Sequence, residues 1–291
     1  MRRRAGGEGP PAYFRKAKKG PVPARPGGGR LDNPWIAALS ALFAWWFSTG
    51  AILWAVTRAD GHRGGHGRAV LAGLPVLVAG VAGAIVSAGQ PGAAYLPFLS
   101  ALAIWGWIEL AFLTGCVTGP SRAPLPPFAR GGARFRAAWA VLAWHELLLT
   151  AGLVALFWLT RGAETQIAFW TYAVLWGARI SAKLNIFLGV PRINVDFLPL
   201  PLAHLPSYFR QGPASWLFPV SILGLTAAAF CWIERAAVTG EAGFALLATL
   251  TGLALLEHWL MVLPLPDERL WRWALPAPKG DLTKGEGGHG F

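Results

Sequence analysis

Seven apolar stretches constrain this chain more than any other feature. Each is close to the ~20 residues needed to cross a ~30 Å hydrocarbon layer. They run over residues 34–56, 69–88, 95–118, 137–159, 167–186, 215–233 and 242–263. In lipid every backbone N–H and C=O must be satisfied within the segment, so stretches of this length are expected as helices. No strand-type alternation and no internal repeat is visible. The predicted fold class is therefore an all-α, polytopic transmembrane helical bundle of about seven spanning helices. A short Gly/Pro turn over 89–92 joins the second and third helices as a hairpin. Composition agrees: only 14% of residues are charged, against roughly a quarter in soluble domains. Many of the 16 Trp and 16 Phe fall near the ends of apolar stretches, where aromatic side chains favour the membrane interface.

The net charge of +12 invites a nucleic-acid reading, but its placement argues against one. Nine of the 26 Lys and Arg lie in the first 30 residues, and most others sit between apolar runs. Such a distribution suits loops against anionic lipid, not a basic docking face, so no nucleic-acid partner is expected. Loop charge also predicts orientation. The loops 57–68 and 119–136, the segment after the fifth helix and the C-terminal tail are rich in Lys and Arg, whereas the alternate loops carry only Arg161 and Arg235. The basic loops, and with them the C-terminus, are expected on the cytoplasmic side of the membrane.

Three regions follow. Residues 1–33 form a basic tail rich in Gly and Pro, expected to be disordered; a true start codon near Leu31 is the alternative. Residues 34–266 form the transmembrane bundle, with a surface segment at 187–214. Residues 267–291 are a polar C-terminal tail. The surface segment holds Pro191, Pro199, Pro201, Pro206 and Pro213, so it is not one continuous helix. Its Phe and Leu residues, with Tyr208 and Arg210, suggest a chain lying on the membrane, and Asn194, Phe197, Tyr208, Phe209 and Arg210 are its candidate partner-docking residues. Cys116 and Cys231 lie inside apolar stretches and are expected as buried, unpaired small hydrophobes.

Ionisable groups inside a bilayer are costly, and each is a functional candidate by default. This chain has Glu109, His145, Glu146, Arg179, Lys183, Glu257 and His258 within its apolar stretches. At 1.5 Å per residue, Glu109, His145 and Glu257 lie roughly 9–13 Å from the same membrane face. The alternation of helix direction puts them in one intramembrane polar layer on the basic-loop side, with Arg179 at a similar depth. Structural pairing of these carboxylates with Arg179, Lys183 and the imidazoles would fix helix packing. No hydrolase, kinase, phosphate-loop or dinucleotide motif is present, which favours a non-catalytic role.

Several runs resemble the PuhE-type photosynthetic complex assembly proteins of purple and related phototrophic bacteria. They are RISAKLNIFLGV over 179–190, NVDFLP over 194–199 and LPSYF over 205–209. PWIAAL over 34–39, WWFSTG over 45–50, ELAFLTG over 109–115 and WHE over 144–146 agree. The most distinctive are LEHWLMVLPLPD over 256–267 and LWRW over 270–273. The resemblance covers residues 33–275. It implies an assembly factor for the reaction centre and its light-harvesting antenna, with subunits of those complexes or other assembly factors as partners, besides the lipid bilayer. It also brings bacteriochlorophyll into consideration as a ligand. His145 or His258 could then coordinate a chlorin magnesium, the neighbouring Glu orienting the ring. An alternative keeps the carboxylates and the two His as ligands of a divalent metal in a membrane enzyme of bacteriochlorophyll metabolism.

Overall fold

The structure is a computed structural model that describes residues 32–195, 198–264 and 273. Seven α-helices follow in order: α1 (Pro34–Asp60), α2 (Gly65–Ala88), α3 (Tyr95–Leu113), α4 (Gly131–Thr160), α5 (Ile167–Leu188), α6 (Leu217–Thr239) and α7 (Ala242–Leu260). No strand occurs among the described residues; a single bridge pairs Val190 with Gln211. The protein is an all-α polytopic bundle, as the apolar pattern predicts. Six of the helices are long and apolar enough to cross a membrane. The exception is α5, which has the length but carries Arg179, Lys183 and Asn185 towards its C-terminal end.

Local chemistry sets the boundaries. Asn33 starts α1: its side-chain oxygen accepts the Trp35 N–H at 2.9 Å, and Pro34, which has no N–H to leave unsatisfied, takes the first helical position. Gly240, in the left-handed region at φ 68°, ends α6 and lets α7 turn back immediately. Residues 1–31 of the basic tail and all of the C-terminal tail except Trp273 lie outside the described residues.

Packing sorts the helices into an inner and an outer set. α3 and α7 are the most enclosed, and α5 packs against both. α1 lies against α7, α2 forms the hairpin with α3, and α4 covers α3 and α5. α6 is outermost, with Leu223, Phe230 and Val238 turned outward. Such faces have no partner in the bundle and suit contact with lipid chains, which is where solvation by the bilayer replaces a hydrophobic core. Cys231 lies on this outer helix; it and Cys116 are unpaired and exposed, not buried. For Cys231 position, not residue type, decided this, because an apolar helix in lipid can expose any apolar side chain; Cys116 lies beyond the end of α3.

The sequence reads the third helix through residue 118, but α3 ends at Leu113. The chain then stays within the bundle. Val117 N–H donates to the Ala111 carbonyl, Ser121 N–H to Ala140 and, at 2.9 Å, His145 N–H of α4 to the Thr118 carbonyl. Gly119 lies directly on the α4 backbone. Beyond this tuck, residues 122–130 meet the segment 198–210, which forms two short 3-10 turns, Leu200–Leu202 and Leu205–Tyr208. Leu125 N–H donates to the Ser207 hydroxyl, and the Tyr208 hydroxyl to the Ala123 carbonyl. Phe112, Val141, Leu202, Leu205 and Tyr208 form the small apolar core beneath. The surface segment is therefore a folded cap tied to the α3–α4 connection.

Candidate functional site

α5 carries two polar faces, and the site is built on them. Arg179 and Lys183 are four residues apart, as are Ser181 and Asn185. Residues so spaced share a face, and the two pairs point in nearly opposite directions.

On the first face Arg179 donates to Glu109 Oε2 of α3, and Lys183 to Glu146 Oε1 of α4. Lys183 Nζ also lies 3.0 Å from His145 Nδ1. An ammonium only donates, so Nδ1 is the acceptor and the ring proton sits on Nε2. Nε2 faces Glu109 Oε1 at 3.7 Å, and neither atom has another partner. The His145 ring stacks on Phe112 with centroids 4.1 Å apart, and Lys183 Nζ lies 5.3 Å from the centre of the same phenyl ring. Glu109, His145 and Glu146 are all buried. Three helices are thus joined by two ion pairs with an imidazole between them. Each charge here would be expensive alone and is compensated by its neighbour.

On the second face Ser181 reaches His258 of α7. His258 Nδ1 is 2.8 Å from the Ala254 carbonyl, and Nε2 is 2.9 Å from the Ser181 hydroxyl. A carbonyl only accepts, so Nδ1 carries the proton and the Nε2 lone pair accepts from Ser181. Asn185 donates to the Ser221 hydroxyl of α6. Glu257, next to His258, turns instead to α1, where Trp45 Nε1–H donates to its Oε1 at 3.0 Å.

A cavity of about 790 Å³ opens between these elements, a size suited to one cofactor-sized ligand. Ile52, Leu53, Leu102, Trp105, Leu175 and Leu250 contribute apolar wall. Glu109, Glu146, Arg179, Lys183 and Glu257 also face it, as do Arg192 and Asn194 where the cap meets the bundle.

The model of a family described as a protein of unknown function, DUF3623, matches residues 31–281. The chain belongs to this family. It is also 52% identical over 254 residues to a Rhodobacter capsulatus protein, covering 85% of this chain and 93% of that one. That relative is described as an uncharacterised 30.4 kDa protein in the puhA 5' region. No solved structure matches the chain.

In this DUF3623 chain the polar layer divides. Glu109, His145, Glu146, Arg179 and Lys183 meet in one network, and Glu257 shares their cavity. His258 belongs to a separate contact behind α5. Neither His145 nor His258 lines the cavity, and neither offers it a lone pair. The donor set therefore does not fit magnesium coordination by imidazole. A divalent metal fits no better. Among the described residues no three His, Cys, Asp or Glu side chains converge on a metal-sized point, and Arg179 and Lys183 already balance two of the carboxylates.

Of the docking residues, Asn194 and Arg210 are exposed and Phe209 is half-buried. Tyr208 is buried in the cap's own packing, so it is not open to a partner. Phe197 lies outside the described residues. Sequence reasoning missed Trp45, Phe112, Ser181 and Arg192. The four-residue spacing of Ser181 and Asn185 was a usable signal; nothing local marks the other three.

Proposed function

We propose that this protein is an integral membrane assembly factor for bacterial photosynthetic complexes, the reaction centre and its light-harvesting antenna, acting by non-covalent binding and not by turnover. The observation that carries the binding mode is the 790 Å³ cavity inside the bundle, apolar on its walls and charged at the ends of α3, α5 and α7. A partner helix or an apolar ligand such as bacteriochlorophyll would exchange lipid contacts for this surface. The photosynthetic context is supported by the PuhE-type motifs, and the relative's place in the puhA 5' region agrees with it. Bacteriochlorophyll taken into the cavity would be held by its periphery and tail, because the two imidazoles are committed elsewhere. The paired carboxylates count against the metal-dependent enzyme. The membrane is the bacterial cytoplasmic or intracytoplasmic one, with the C-terminus in the cytoplasm.

Two measurements test the proposal. The protein is purified from pigmented membranes, and its absorption spectrum and co-purifying subunits are recorded. A deletion strain is then examined for reaction-centre and antenna absorbance. Photosynthetic subunits or pigment should accompany the protein, and assembled complexes should fall in the deletion. Normal absorbance in the deletion strain would refute the assembly role. Loss of pigment from a His145→Gln or His258→Gln variant present at wild-type level would refute binding without imidazole.

A further inference from the structure

Among the described residues, the charged side chains lining the cavity are three acids and three bases: Glu109, Glu146, Glu257, Arg179, Lys183 and Arg192. Four of them cancel in the Glu109–Arg179 and Glu146–Lys183 pairs. Glu257 and Arg192 remain. Among the described residues neither has an ionic partner, and they do not pair with each other. They are nonetheless neighbours along the rim: Arg192 N–H donates to the Met261 carbonyl, one helical turn beyond Glu257. Among the described residues Glu257 accepts one hydrogen bond, from the neutral Trp45 indole N–H on one oxygen, and the Arg179 charge that reaches it is already paired with Glu109. A carboxylate at an apolar wall with only a neutral donor is under-compensated, and an ammonium is its natural complement. Arg192, exposed on the cap, is the complement of a phosphate.

We propose that the mouth of the cavity binds the head group of a zwitterionic amphiphile carrying a primary ammonium and a phosphate, with its apolar tail along the cavity wall. Glu257 takes the ammonium and Arg192 the phosphate. Tail contacts come from Ile52, Leu53, Leu102, Trp105, Leu175 and Leu250, which line the same space. The head recognises charge of both signs, so a purely anionic head leaves Glu257 uncompensated. A quaternary ammonium brings charge without an N–H donor and satisfies it less well. The inference rests on the cavity being a binding site, and not on the assembly role.

Native mass spectrometry of the detergent-purified full chain tests it, using equimolar phosphatidylethanolamine, phosphatidylcholine and phosphatidylglycerol. One charge-assisted hydrogen bond amounts to about tenfold in retention, so phosphatidylethanolamine should exceed phosphatidylglycerol by about that factor. Glu257→Gln should abolish the preference, and Arg192→Gln should weaken both phospholipids together. Arg192 is exposed on the cap, so its variant should fold even where Glu257→Gln does not. Free phosphoethanolamine at equal concentration should not displace the lipid, since it brings no tail. Equal retention of the three lipids by wild type would overturn the proposal. So would an unchanged preference in Glu257→Gln, or displacement by the free head group. Each outcome is read independently of whether pigment or photosynthetic subunits co-purify.

Discussion

Replacing Gly119 by alanine should loosen the whole polar network from a residue that belongs to none of it. A Cβ on Gly119 would lie 2.3 Å from the Ala140 carbonyl oxygen, 2.6 Å from the Val141 carbonyl carbon and 2.8 Å from the Leu142 nitrogen. All three are α4 backbone, which cannot swing aside, so the tucked segment must withdraw. Withdrawal stretches two hydrogen bonds, Ser121 N–H to Ala140 at 3.0 Å and His145 N–H to Thr118 at 2.9 Å. At about 1 kcal/mol net for each bond, with 1–3 kcal/mol for overpacking, the cost is roughly 3–5 kcal/mol. That corresponds to a melting temperature lower by roughly 5–10 °C in a chain of this size. Thermal unfolding in detergent, followed by tryptophan fluorescence, measures it. Gly224→Ala is the control: Gly224 lies within α6 with open space around its Cβ position, so alanine there should be neutral or slightly stabilising. Equal melting of Gly119→Ala and wild type would refute the tuck against α4.

The Lys183–Glu146 pair should behave as a unit. Lys183→Met alone strands a buried carboxylate and should cost roughly 3 kcal/mol, whereas Glu146→Gln with Lys183→Met should recover most of it; additive losses in a double-mutant cycle would contradict the pairing. Orientation is testable with reporters: one fused after Pro278 should read cytoplasmic and one inserted near Ala163 periplasmic, and the opposite at both sites would invert the bundle. Acid should loosen the cap through His204. Burial, and then the Arg122 charge, hold its pKa below the ordinary imidazole value, so the unfolded segment binds protons first. Cap stability is therefore complete above about pH 6.5 and falls as pH drops below it towards the folded value. Limited proteolysis of the cap should accelerate from pH 7.5 to 5.5 in wild type and less in His204→Gln; identical pH dependence would remove His204 from the account.

The helices were legible because lipid leaves the backbone few choices: seven long apolar runs become seven helices, six of them long and apolar enough to cross a membrane. Depth was legible for the same reason. A rise of 1.5 Å per residue and alternating direction put Glu109, His145 and Glu257 at one level with Arg179, and Glu109, Glu257 and Arg179 do line one cavity. Partners were not legible at that resolution. His145 and Glu146 point about 100° apart on α4, yet both reach Lys183, because its long side chain spans the angle. Glu257 and His258 are also neighbours in sequence, but they turn to different helices, α1 and α5.

By itself, then, the sequence determined the class of fold and the common level of the charged groups, since these depend only on apolar length and on distance along a helix. The tertiary structure decided which carboxylate meets which cation. It also decided that the chain after Leu113 tucks against α4 instead of extending the helix, that Tyr208 belongs to an internal core, and that both imidazoles have their lone pairs taken. Those outcomes depend on the rotation of each helix about its axis and on which neighbour it faces. The apolar stretches are close to uniformly hydrophobic around their circumference, so helical periodicity carried almost no information about that rotation.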